Sequence, residues 1–220
     1  MIHAATRFVA LLVVLTASLP TLAQTPSGIF GPFGQPTVSF SADFTIDSAG
    51  FQTKGHMNNI PMRRRVEVDL GPRHVVSIIF ADLAVGYALD LDRKTYSEFS
   101  LGPTPNFPTG PTYPGWTLTR EGEDEADGLV RTRYKAEELK PNGNGFRGTL
   151  WLAEAYNLVV EARGVNLSAG KSLPVTHRVF NIKVGPQDPA LFQPPADFVK
   201  FGTGVDPSVP PPTPQPRVQP

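Results

Sequence analysis

The chain of 220 residues contains no cysteine. That absence excludes a disulfide framework, cysteine-ligated zinc, a thiol nucleophile and a lipid carried on an N-terminal cysteine. Net charge is absent too, since 20 Lys and Arg oppose 20 Asp and Glu. A broad electrostatic footprint for nucleic acid or an anionic membrane is therefore missing. Arg63-Arg64-Arg65 is the one basic cluster. No amphipathic helical pattern of a dozen residues is found, so the crossovers that parallel strands require have no candidates. The longest early apolar run, 8–15, ends in a stretch broken by Thr16, Ser18 and Pro20. Spanning a bilayer takes about 20 apolar residues, so this run is too short for an anchor.

The same run fits a secretory signal. Arg7 supplies a weakly basic start, the apolar stretch follows, and Thr21-Leu22-Ala23 places small residues just before Gln24. Residues 1–23 are expected to be a cleaved signal peptide, which puts the mature protein in the periplasm or outside the cell. The Gly- and Pro-rich segment 24–36 and the Pro-rich tail 202–220 are expected to lie outside the fold. Lacking staples, the domain over 37–201 must be held by its apolar core. A domain near that size buries roughly 70% of its unfolded surface.

Between these ends the hydrophobic period is two. Val38, Phe40, Ala42, Phe44 and Ile46 alternate with polar residues across 37–47, the mark of a strand with one face on a core. Further strands are expected at 52–59, 63–69, 74–80, 85–91, 95–99, 116–121, 130–136, 146–153, 158–163 and 176–184. Turn-forming clusters join them, among them Ser48-Ala49-Gly50, Gly71-Pro72, Asp92-Arg93-Lys94 and Asn142-Gly143-Asn144-Gly145. Such links make antiparallel hairpins. Single helical turns are expected at 136–140 and 188–192. The segment 102–115 breaks the rhythm with five prolines, which rule out a central strand or helix. It carries Phe107 and Tyr113, so it reads either as a lid or as a strap packed across the sheet.

The stretch Val179-Phe180-Asn181-Ile182-Lys183-Val184-Gly185-Pro186-Gln187-Asp188-Pro189-Ala190-Leu191-Phe192, continuing to Phe198, resembles the closing segment of a family of exported bacterial proteins. That family is distantly similar to the outer-membrane lipoprotein carriers (LolA/LolB-like). Other landmarks follow in order: the first alternating strand, the 62–68 strand with its basic start, and the Tyr87 to Tyr96 hairpin through Asp92-Arg93-Lys94. The resemblance implies a mainly β fold, a single curved antiparallel sheet or half-barrel, whose concave face can hold an acyl chain. Few short helices are available here, so the Pro-rich loop would have to supply the cover that the carriers make from helices. No functional residue of the carriers matches a motif in this chain.

A search for chemistry yields no active site. His56, His74 and His177 sit on separate strands with no paired metal-ligand spacing. Glu121, Glu123, Asp124, Glu125 and Asp127 lack calcium-loop spacing and read as a solvated hairpin turn. Asp90 and Asp92 could pair, yet Asp92 stands where a turn favours local hydrogen bonding. Gly170-Lys171-Ser172 lacks the spacing of a phosphate loop. Arg64 occupies an inward position, with Arg63 and Arg65 outward; it reads either as a side chain reaching the rim or as an anchor for an anionic group.

The expectation is thus a non-enzymatic periplasmic binding protein for a lipid or other apolar ligand, with no cofactor and no metal. Its binding residues would be Phe40, Phe44, Arg64, Phe107, Tyr113, Trp116, Trp151 and Phe180. Expected partners are a lipid or lipoprotein acyl chain, or an envelope protein, with no nucleic acid and no transmembrane anchor after signal cleavage. The alternative is a structural or interaction protein of the cell envelope without a small-molecule ligand.

Overall fold

The structure, a computed structural model, describes residues 32–70, 73–101, 115–140, 142–168 and 170–201. Twelve strands follow one another: β1 (Phe40–Ser48), β2 (Phe51–Ile60), β3 (Arg63–Leu70), β4 (Arg73–Phe80), β5 (Val85–Asp90), β6 (Thr95–Ser100), β7 (Trp116–Ala126), β8 (Leu129–Leu139), β9 (Gly145–Ala153), β10 (Leu158–Ser168), β11 (Lys171–Val184) and β12 (Val199–Lys200). They form one open sheet in the order β12-β6-β5-β4-β3-β2-β1-β11-β10-β9-β8-β7. Every neighbouring pair is antiparallel except the two-residue parallel pair β12–β6. Two short 3₁₀ turns, Glu154–Tyr156 and Pro189–Phe192, complete the described elements. The second is the helical turn expected near 188–192, and Asp188 caps it by accepting from Ala190 N–H at 2.9 Å.

Two expectations give way. Segment 136–140 is not a helical turn, because β8 runs through Leu139. The acidic run 121–126 is not a turn either: it stays in β7, and only Asp127-Gly128 reverses the chain. The reason is pairing across the hairpin. Asp124 meets Arg131 at 2.7 Å and Glu121 meets Arg133 at 3.4 Å, so cross-strand arginines offset the repulsion that the sequence run suggests.

Core residues lie on both sides of the sheet. On the first face, Phe40, Ala42 and Phe44 of β1 stand beside Met57 of β2 and Val68 of β3. The same face continues through Val175, Ala162, Leu150, Phe146 and Trp116 on β11 to β7. There it is covered by the chain ahead of β1. Phe33 is 5% exposed, and its ring lies 5.0 Å from that of Tyr134. Asn157 Nδ2 donates to the carbonyls of Phe33 and Gln35 at 2.7 and 2.9 Å. Residues 32–36, expected to lie outside the fold, therefore belong to it, because one aromatic side chain has a greasy surface to cover.

The opposite face is apolar over β4 and β5, through Val76, Ile78, Phe80 and Leu89. The chain after β11 covers it. Phe192 is 1% exposed, and Leu191 and Phe198 press on the same cluster. Asn58 Nδ2 donates to Gln187 Oε1 at 2.9 Å, and an Arg65 guanidinium N–H to the Leu191 carbonyl at 3.3 Å. Ion pairs Lys94–Asp197 and Lys200–Glu98 fasten the end of this strap beside β6. The part of that resemblance segment after β11, 185–198, is thus a cover for the sheet.

Candidate functional site

Two bulges shape the middle of the sheet. Between Ser41 and Asp43 the β1–β11 register shifts, and Asn181 sits there at φ 54. Between Val159 and Glu161 the β9–β10 register shifts as well. Each bulge bends its strand and adds twist. The β7–β8 hairpin, closed by Asp127 (φ 54) and Gly128 (φ 73), folds back toward β11, as a two-residue Asp-Gly turn allows. Between the hairpin end and the bent strands lies a cavity of about 580 Å³. Its apolar wall comes from Leu129, Tyr156, Val160, Phe180 and Ile182, and its charged rim from Asp127, Arg131 and Arg178. That volume lies in the range of small-molecule sites.

The charges beside the cavity form a chain. Arg131 Nε donates to Asp124 Oδ1 at 2.7 Å, and its terminal nitrogen to Glu161 Oε2 at 2.9 Å. Arg163 completes the group by bonding the other oxygen of Glu161. Trp151 is set among them. Its Nε1–H donates to Asp124 Oδ2 at 2.9 Å, and the guanidinium groups of Arg131 and Arg163 lie 5.8 and 5.3 Å from its ring. The Arg131 bond, aided by Trp151, holds the Asp124 carboxyl below the usual carboxylate range. Arg178 stands apart from this chain; its guanidinium meets Asp127 at 2.8 Å.

A second polar group lies on the first face. The register Asn59↔Arg64 sets Arg64 inward beside Met57 and Val66, as the period-two pattern predicts. Its Nε donates to Asn59 Oδ1 at 3.2 Å. Asn59 is fully buried, and its Nδ2 finds no partner among the described residues. Burial pulls the Arg64 pKa down to about 10. His177, pressed edge-on against Phe44 with ring centroids 6.0 Å apart, is lowered to about 4 by burial and by the Arg64 charge.

The eight expected binding residues do not gather at one place. Phe40, Phe44, Arg64 and Trp116 share the first face. Trp151 and Phe180 lie on the opposite one, since Trp151↔Glu161, Glu161↔Arg178 and Arg178↔Thr45 form one row and Phe180 pairs with Asp43. Phe107 and Tyr113 lie outside the described residues, as do the expected signal segment 1–23, the expected turn Gly71-Pro72 and the tail 202–220. Of the six described residues among the eight, Phe180 alone lines the cavity. Trp151 packs on the apolar cluster that includes Ala153, Leu158 and Val160, lies beside two guanidinium groups and a carboxylate, and does not line the cavity.

Arg178, Asp127, Leu129 and Tyr156 were not among the expected residues. The Asp-Gly pair at 127–128 marks the turn in sequence, but nothing local marks its return toward β11. His56 bonds Asp43 at 2.8 Å, and His74 bonds Asp69 and Glu67 at 2.7 and 3.2 Å. Asp90 accepts from the Arg93 backbone N–H at 3.0 Å, so it caps its own turn. Among the described residues, no three potential metal ligands converge, and no helix is long and apolar enough to cross a membrane.

Neither a protein-family model nor a curated protein matches the sequence. Solved structures do resemble it. An uncharacterised conserved protein from Thermus thermophilus is similar with a TM-score of 0.52 at 13% identity, over 74% of this chain and 90% of that one. The MucA/MucB complex of Pseudomonas aeruginosa is similar with a TM-score of 0.42 at 12% identity, over 70% of this chain and 55% of that one. A LolA superfamily protein from Nitrosomonas europaea is similar with a TM-score of 0.38 at 7% identity, over 73% of this chain and 92% of that one. At such identity, the likeness to the Thermus protein establishes a shared fold and nothing further.

Proposed function

We propose that this is an exported, non-enzymatic protein that holds a lipid or other apolar ligand in the cavity under the β7–β8 hairpin. The observation that carries the reading is the cavity itself, about 580 Å³ with Leu129, Val160, Phe180 and Ile182 in its wall. A site of that size with an apolar wall and a few charges at the rim has the usual anatomy of a small-molecule site. Export rests on the secretory pattern of residues 1–23.

Native mass spectrometry of protein purified from the secreted or periplasmic fraction, with organic extraction, tests this. A copurified apolar molecule is expected, and Phe180→Asp or Leu129→Asp should release it while the protein still melts cooperatively. A chain that emerges empty and ignores added fatty acids and lipopeptides would sink the reading. The second reading, an interaction protein of the envelope, is then favoured by one observation. The 11-residue strand β7 ends the sheet with its outer edge unpaired among the described residues, where a partner strand could add.

A further inference from the structure

We propose that the cavity ligand is an amphiphile with an anionic head, and that Asp127 occupies the place of that head on Arg178 until the ligand arrives. This rests on the cavity reading above and names its ligand class. Among the described residues, three charged side chains line the cavity: Asp127, Arg131 and Arg178. Arg131 is committed. It is 12% exposed and spans Asp124 and Glu161, with Glu161 itself 4% exposed and shared with Arg163.

Arg178 differs in each respect. Its side chain is 49% exposed, and Asp127 is its ionic partner among the described residues. Its cross-strand neighbours are Glu161 and Thr45; the first is spent on the two other arginines and the second carries no charge. The group Asp124, Asp127 and Glu161 with Arg131, Arg163 and Arg178 is balanced in charge as it stands. Asp127 is the member that can leave without unpairing a buried charge. It sits on a hairpin turn, its carboxylate is half in water, and an exposed ion pair contributes little to stability.

A ligand carboxylate or phosphate makes with Arg178 the bond that Asp127 makes now, and the planar guanidinium suits both oxyanions. The displaced Asp127 returns to water. The apolar side chains beside Arg178, namely Phe180, Ile182, Val160 and Leu129, then accept the chain attached to that head. One side of the cavity is the hairpin that carries Asp127, so releasing the ion pair also frees that wall. Head recognition and opening are one event.

Titration calorimetry of the full chain with dodecanoate, dodecyl phosphate and dodecanol, each below its micellar concentration, tests the proposal. Both anions should bind the wild-type protein at least fivefold more tightly than the alcohol. Arg178→Gln should erase that preference and leave alcohol binding within twofold. Asp127→Asn, which removes the competing carboxylate, should tighten anion binding several-fold without moving the alcohol. Either order between the two anions supports the proposal and names the head group. Equal binding of alcohol and anions to wild type, or an anion preference that survives Arg178→Gln, overturns this proposal alone. Failure of all three to bind overturns the cavity reading with it.

Discussion

At the scale of single residues, His177 and Glu161 have sharply different costs. His177 has a folded pKa of about 4, lowered by burial first and by Arg64 second, from an ordinary 6.5. Between those values the unfolded chain takes up a proton that the native protein refuses. Stability is therefore full above pH 6.5 and falls as the pH drops toward 4, by roughly 1.4 kcal/mol for each unit of separation. The lowered carboxylates Asp43, Asp90 and Asp124 act below about pH 3.8. His74, raised by Asp69, acts above 6.5 in the opposite sense. Urea midpoints measured from pH 7 to pH 4 should decline in the wild type, and His177→Phe should flatten that limb. An unchanged slope would place the limb on another group. Glu161 is 4% exposed and holds two arginines. Glu161→Ala leaves both guanidinium groups without it, one of them mostly buried, and should cost about 3 kcal/mol in equilibrium unfolding.

Arg64 was legible one residue at a time, because strict alternation through Met62, Arg64 and Val66 assigns a face without any knowledge of neighbours. Trp151 is named with the apolar binding residues, although its parity with Leu150 and Leu152 already sets it on the other side. Phe180 could not be assigned from alternation. The left-handed Asn181 interrupts the period, so Val179 and Ile182 reach the core near β1 while Phe180 does not.

At the scale of elements, the sequence places eleven strands well and measures their length poorly. Strands end on paper where polar residues begin, yet β7 runs on because its acidic residues pair with arginines across the ladder. Close approach of β9 and β10 depends on a different signal, the facing pair Gly148↔Gly164. A Cβ built on Gly148 would strike the Arg163 carbonyl and Gly164 Cα. Gly148→Val should therefore spread the two strands and cost about 3 kcal/mol, as overpacking does. Denaturant melts read the loss directly, and a wild-type midpoint would show that the strands can part without penalty. β12 escaped detection because two residues carry no period, and its pairing with β6 is fixed by the strap that delivers it.

At the scale of the whole molecule, one sheet buries apolar surface on both faces and covers each with an end of the chain. Phe33 closes the first face over β7 to β11, and Phe192 closes the opposite face over β4 and β5. This division was hidden in the sequence, where the segment before β1 reads as lying outside the fold and the segment after β11 as a stretch with a single helical turn at 188–192. The two aromatic covers belong to separate clusters that share no residue. Phe33→Ala and Phe192→Ala should each cost about 3 kcal/mol, and their combination should be additive to within about 0.5 kcal/mol. Hydrogen exchange should localise the damage. Phe192→Ala should hasten exchange of amides in β4 and β5 and spare β8 and β9, and Phe33→Ala should do the reverse. If either substitution loosened both regions alike, the sheet would be transmitting strain from face to face, and the two covers would be parts of one cooperative core.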